Sequence, residues 1–168
     1  MAIISLSALT VWFGALAQEP VKGGPLSIVR LELAPTVEAA DHFMRAWQCA
    51  RSTWQQDLQL AQAWDTWFIC AYAPLFALLC WVGAAHLSVA FPRLGALGYA
   101  LAGMQLAAGA LDFVENAAMQ KTIDAGYASA PWPLIGATAS SMKWLLILAF
   151  AIYVIGAGVY WVGGLLSR

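Results

Sequence analysis

Residues 94–116 read LGALGYALAGMQLAAGALDFVEN, an apolar stretch in which charged residues occur only near the end. Small or polar residues recur in it at intervals of three or four, namely Gly98, Ala102, Gln105, Gly109, Asp112 and Asn116. This spacing places them on one face of an α-helix. Because small residues let a second helix approach closely inside a membrane, we expect Asp112 to point into a helix-packed interior and away from lipid.

The composition of the whole chain also indicates a membrane protein. Of 168 residues, 62% are hydrophobic and 10% are charged, and the mean hydropathy is +0.71. Soluble domains carry about 25% charged residues. The net charge of −1 leaves no basic excess to neutralise phosphates, which argues against nucleic acid as a partner. The three cysteines do not make a disulfide framework.

Four apolar stretches are long enough, or nearly so, to cross a bilayer, which takes about 20 helical residues. They lie at about 1–17, 66–90, 94–114 and 143–166. We therefore predict an all-α fold, a four-transmembrane-helix bundle that forms a single integral membrane domain with an extramembrane loop at 18–65. The first stretch ends in Ala15-Leu16-Ala17, which is similar to a signal-peptide cleavage site. Because it lacks a basic start, we interpret it as an uncleaved first helix.

Four spans place both termini on one side of the membrane and the two longer connections on the other. Six of the eight Lys and Arg residues lie on the loop side, which by the positive-inside rule favours cytoplasmic loops. All nine acidic residues lie there too, and the first stretch is similar to an export signal. Because of the acidic residues and the export-like first stretch, we expect the termini to be cytoplasmic.

The long loop carries signals of local structure. Residues 27–33 (SIVRLEL) alternate polar and apolar side chains, which predicts a short β-strand. Thr36 is a predicted helix N-cap, with Glu38 in the favourable first turn.

A run without Gly or Pro then extends over residues 36–72. It predicts an amphipathic helix that leads into the second span, with an apolar stripe at Trp47, Trp54 and Leu58. The stripe is a candidate surface for the membrane or for a protein partner. Packing against residues 117–135 of the same chain is the other interpretation.

The best candidate for a functional site is a layer of polar residues at the ends of the predicted spans. Polar side chains near the centre of a span cost roughly 2.5–3.5 kcal/mol on insertion scales. Asp65 opens the second helix and Lys143 the fourth, while Tyr72 lies about two turns below Asp65. Together with the end of the third helix they form the polar cluster: Asp65, Tyr72, Asp112, Glu115, Asn116 and Lys143.

Three carboxylates and one lysine give the polar cluster a formal excess of −2. Such an excess does not persist in a dry site, so a carboxylate is protonated, a cation binds, or the cluster is wet. Oxygen ligands suit Mg²⁺, Ca²⁺ or Mn²⁺, and a divalent cation is the one cofactor that the sequence suggests. In the structural interpretation, Lys143 pairs with Asp112 or Glu115.

The polar pattern resembles that of a group of small four-helix bacterial membrane proteins without a known activity. The resemblance rests on Asp65-x-x-Phe68 with Tyr72, on Asp112-x-x-Glu115-Asn116, and on Lys143-Trp144. It implies the fold and a location in a bacterial inner membrane, but no activity.

Two functions fit these observations. The first is a non-enzymatic accessory or scaffold subunit, which contacts lipid and a protein partner or a second copy through its loop helix and small-residue faces. The alternative is a cation-, proton- or lipid-head-group-binding protein, transporter-like or lipid-modifying, centred on the polar cluster. No metalloprotease, hydrolase or phosphate-loop motif is present in the sequence, so enzymatic activity is not predicted.

Overall fold

The computed structural model describes residues 2–18 and 28–166 and is helical throughout, without a β-strand in these ranges. The helices are α1 (Ala2–Gln18), α2 (Ile28–Glu32), α3 (Val37–Ala50), α4 (Trp54–Leu87), α5 (Pro92–Ala125) and α6 (Trp132–Leu166). Within the described ranges, α4, α5 and α6 are long and apolar enough to cross a membrane. The predicted all-α class is therefore confirmed, and the chain has the helices of an integral membrane protein.

Helix α1 packs along α4 in the opposite direction. The Phe13 ring stacks on Trp64 and Trp67, with ring centroids 6.3 and 6.1 Å apart. Near the other end of α1, Ile3 lines a groove together with Val82 and His86. With 17 residues, α1 is about 25 Å long, slightly short of the ~30 Å hydrocarbon core of a bilayer.

The three long helices extend past the predicted spans on the loop side. Asp65 and Lys143 were expected to open their helices, but each lies about three turns inside, in α4 and α6. The prediction placed these helix starts at the point where charge first appears. The helices begin earlier because their loop-side ends have apolar faces of their own to bury. On the opposite side of the bundle, where α4 connects to α5, Pro92 lies in the first turn of α5, a position that favours proline.

The strand predicted at residues 27–33 is wrong. Residues 28–32 form α2, and Ser27 lies outside the described residues. The apolar residues Ile28, Leu31 and Ala34 recur at intervals of three and all pack into one core. Burial of that helical face prevails over the polar–apolar alternation, which the same short segment also displays.

The single helix predicted over residues 36–72 is interrupted at residues 51–53, between α3 and α4. Arg51 has extended backbone angles, with φ −149° and ψ 134°. Asp57 stabilises the turn, because its Oδ2 accepts from Arg51 Nη1 at 3.2 Å and from Thr53 Oγ1 at 3.1 Å. The N-cap at Thr36 is confirmed, since its Oγ1 accepts from the Ala39 amide at 3.2 Å.

Helices α2 and α3, the loop-side ends of α4 and α5, and Ala128 enclose an apolar core, here called the loop-side core. Its buried members are Leu31, Ala34, Ala40, Met44, Trp47, Leu58, Met119, Ile123 and Ala128, and Trp54 packs against them. Trp47 is 1% exposed and Leu58 is fully buried. The interpretation of these two residues as a partner or membrane surface is therefore wrong. The stripe packs instead against residues 119–128 of the same chain, the other interpretation of the pattern.

Below this core, α5 packs between α4 and α6 through its small residues. All six residues of the face predicted on α5 are buried, which confirms that face. A Cβ atom on Gly109 would lie 2.8 Å from the Ala73 Cβ, and one on Gly98 would overlap the Tyr153 hydroxyl. Glycine is needed at both positions because the neighbouring helix approaches so closely.

Candidate functional site

Three long helices bring the six residues of the polar cluster together. Tyr72 and Asp65 come from α4, Lys143 comes from α6, and the other three come from α5. Asp65 is half-buried. The others are almost completely enclosed by the chain, with exposed fractions of 1% for Tyr72, 4% for Asp112, 1% for Glu115, 8% for Asn116 and 5% for Lys143.

Lys143 lies between two carboxylates of α5. Its Nζ donates to Asp112 Oδ1 at 2.7 Å and lies 2.8 Å from Glu115 Oε2. The second oxygen of Asp112, Oδ2, accepts from the Tyr72 hydroxyl at 2.7 Å. Hydrogen bonds to ionised groups are short and about twice as strong as neutral ones. Asp112 is therefore fixed by α4 and α6 together.

Asp65 and Asn116 form a second link between α4 and α5. Asn116, about one turn beyond Asp112, donates from Nδ2 to Asp65 Oδ2 at 2.6 Å. The half-buried Asp65 is thus held on the loop side of the Lys143 centre.

Glu115 is the incompletely satisfied member of the polar cluster. Its Oε1 is buried and has no hydrogen-bond partner in the described part of the chain. The hydroxyl of Ser140, about one turn before Lys143 on α6, is also buried without such a partner there. A buried polar atom left unsatisfied costs about 1–3 kcal/mol, so these atoms favour a proton or a water molecule at the site.

The sequence analysis missed Glu32, which ends α2 and lies close to Glu115. The two side chains line one small cavity of about 20 Å³, together with Thr122 and Trp132. A volume of this size holds one water molecule. Burial raises the pKa of Glu32, and the charge of Lys143 opposes this rise. No local sequence pattern marks this contact, because Glu32 and Glu115 are distant in the sequence.

Glu32 increases the charge imbalance of the region. Four carboxyl groups interact electrostatically with the ammonium of Lys143: Asp112 and Glu115 in direct contact, and Glu32 and Asp65 at longer range. If all ionise, the formal excess is −3, from four negative charges and one positive charge. Buried charge that is not compensated is costly, so the arrangement favours uptake of positive charge.

The donor set limits the chemistry of the region. Among the described residues, no group of three or more His, Cys, Asp or Glu side chains is placed to hold a metal ion. The phenol, carboxyls and ammonium in contact with one another can hold a proton and exchange it.

Comparison with known proteins gives no relative. No family model matches the chain, and no curated protein and no solved structure matches it. Its function is therefore inferred from its own residues, and what they establish is a helical integral membrane protein with ionisable groups buried between its apolar helices.

Proposed function

We propose that this chain is a proton-binding integral membrane protein whose site is the polar cluster. The observation that carries the proposal is the position of Lys143, which touches two buried carboxylates while Glu115 keeps an oxygen without a partner. One ammonium cannot neutralise all the acids around it. A proton is the smallest positive charge that removes the imbalance.

The proposal includes α1 as a fourth span, with both termini in the cytoplasm and a bacterial inner membrane as the location. The packing of α1 along α4, from Ile3 to Phe13, supports the fourth span. The export-like first stretch supports the orientation, and the resemblance to small bacterial membrane proteins supports the location.

A proton fits the geometry better than the other ligands considered. Lys143 Nζ occupies the space between Asp112 and Glu115 where a metal ion would have to bind. The cavity next to Glu115, at about 20 Å³, has room for a water molecule but not for a lipid head group. A divalent cation remains the competing proposal, and the experiment below separates the two.

The test compares Glu115→Gln with Glu38→Gln, which changes an exposed glutamate of α3. Melting temperatures of the purified proteins in lipid nanodiscs are measured across pH, with and without Mg²⁺. Since protonation removes unpaired buried charge, the wild-type Tm falls as the pH rises. Glu115→Gln flattens this fall, whereas Glu38→Gln leaves it unchanged.

Two outcomes contradict proton binding. One is a Glu115→Gln profile that matches the wild-type profile. The other is an increase of the wild-type Tm by Mg²⁺ that Glu115→Gln abolishes, because that result assigns the site to a divalent cation.

An accessory or scaffold role is the second candidate, and its support comes from α6. The loop helix does not support this role, because Trp47 and Leu58 are buried within the chain. A Cβ atom on Gly158 or Gly163 would meet nothing within 4 Å. These glycines are therefore not needed for close packing within the described chain, and they offer lipid, a partner helix or a second copy a smooth surface.

Disulfide cross-linking in native membranes tests contact between copies through α6. In a background without the native cysteines, Val159→Cys is compared with Leu106→Cys, since the two side chains are 69% and 56% exposed on α6 and α5. The scaffold hypothesis predicts a dimer with Val159→Cys alone. Monomers in both variants would remove its support for a second copy.

A further inference from the structure

We propose that the carboxyl groups of Glu32 and Glu115 share one proton, and that this proton holds α2 against the long helices. The inference rests on the proposed function, because it adds a second carboxyl group to the same site and says how the loop responds when the site is occupied.

The geometry brings the two carboxyl groups to one small cavity, where Glu32 is half-buried. Glu32 ends α2, and Glu115 lies on α5 with 1% of its surface exposed. Both line the water-sized cavity, and Glu115 Oε1 lacks a hydrogen-bond partner in the described chain. Two carboxylates cannot donate to each other, so a hydrogen bond between them requires one proton.

The other groups around the cavity do not replace this proton. From α6, Lys143 shares its charge between Glu115 and Asp112. From α4, Tyr72 already donates to Asp112, and Asp65 adds negative charge. The helix α3 contributes Ala40 to the cavity wall, and Thr122 and Trp132 complete the polar and aromatic lining.

Helix α2 depends on this contact because it has only five residues. A helix of that length is not stable by itself in water. It is held by the burial of Leu31 and Ala34 in the loop-side core and by Glu32 at the cavity. Loss of the proton places a second negative carboxylate beside the buried Glu115 and opposes the docking of α2.

The direction of the pH effect follows from burial. Because burial raises the pKa of Glu32, the folded protein favours the protonated form. The stabilisation is fully present below the ordinary glutamate pKa of about 4.3. It is lost as the pH rises through the raised value in the folded protein.

Hydrogen exchange in nanodiscs tests the inference on the full chain. After correction for intrinsic exchange rates, the protection of residues 28–34 is compared with that of residues 37–50 in α3. In the wild type, the protection of 28–34 falls by up to about tenfold per pH unit between the ordinary glutamate pKa and the raised pKa, the limit for one linked proton, and it levels off above the raised pKa. Glu32→Gln abolishes this fall because the amide donates to Glu115 at every pH, and Glu38→Gln retains it.

Infrared spectroscopy gives a second measurement, in which the wild type has a protonated-carboxyl band that disappears on alkaline titration. Glu32→Gln and Glu115→Gln each remove this band. If Glu32→Gln fails to fold, Glu115→Gln alone serves, since the shared proton needs both partners. A band that persists in the folded variants overturns the inference. If Glu115→Gln changes the pH profile of Tm and Glu32→Gln changes neither measurement, the proposed function stands and the role of Glu32 is wrong.

Discussion

The two ends of the helix bundle differ in how completely they are filled. At the loop side, the loop-side core closes the bundle, and the polar cluster lies directly beneath it. At the terminal side, two apolar grooves of about 520 and 570 Å³ remain open beside α6, next to Tyr153 and Trp161. Lipid tails can fill an apolar groove, but they cannot satisfy a buried charge. The buried charges thus lie at the end of the bundle that protein side chains close.

The largest expected effect is that of removing the charge at the closed end. Lys143→Met leaves Asp112 and Glu115 buried without their cation, and breaking a buried ion pair from one side costs about 3–5 kcal/mol. We expect a large decrease in the free energy of unfolding, measured by denaturation in detergent micelles. Lys121→Met changes an exposed lysine on α5 and serves as the control. Equal stability of the two variants would show that Lys143 compensates little charge.

A comparable loss is expected when the loop-side core is opened. Trp47→Ala removes a side chain that is 1% exposed, and large-to-small changes of this kind cost about 3–5 kcal/mol. The matched control is Trp12→Ala, because that side chain is 64% exposed on α1. The same denaturation assay should find the control much closer to the wild type. The reverse order would place Trp47 at a surface, which is one of the interpretations that the sequence leaves open.

The smallest expected effect distinguishes filled from open positions along α5. At Gly98 a methyl group overlaps Tyr153, so Gly98→Ala costs about 1–3 kcal/mol through overpacking. At Gly103 a methyl group meets nothing within 4 Å, and Gly103→Ala gains roughly 0.5–1 kcal/mol from helix propensity. In thermal melting, Gly98→Ala should therefore have a lower Tm than the wild type, and Gly103→Ala a higher one. Two shifts of the same sign would contradict the close approach of α6 at Gly98.

Parts of this molecule can be predicted from sequence where one physical requirement dominates. Residues such as Gly109 and Asp112 recur at helical spacing in an apolar stretch, and in a membrane only helix packing explains such a face. Asp112 and Lys143 are predicted to lie at the same depth in the membrane because successive helices run in opposite directions. Both features depend on a strong signal repeated over many residues.

The loop was harder to predict because its signals are short and conflicting. Residues 27–33 fit an alternating pattern, while Ile28, Leu31 and Ala34 fit a helical one, and tertiary burial decides between them. Periodicity identified Trp47 as part of an apolar stripe but could not say what the stripe contacts. Glu32 was missed because its neighbour Glu115 is distant in the sequence, and proximity of that kind has no local pattern.

The length of the long helices has a mechanical consequence. Helices α4 and α5 have 34 residues each and α6 has 35, which gives about 51–53 Å and exceeds the ~30 Å hydrocarbon core. Helix α5, which contains Asp112, therefore continues without a break into the loop-side core through Met119 and Ile123. Any force that tilts the outer end of α5, such as a partner protein pulling on α3, is transmitted along this continuous helix to the contact between Lys143 and its two carboxylates.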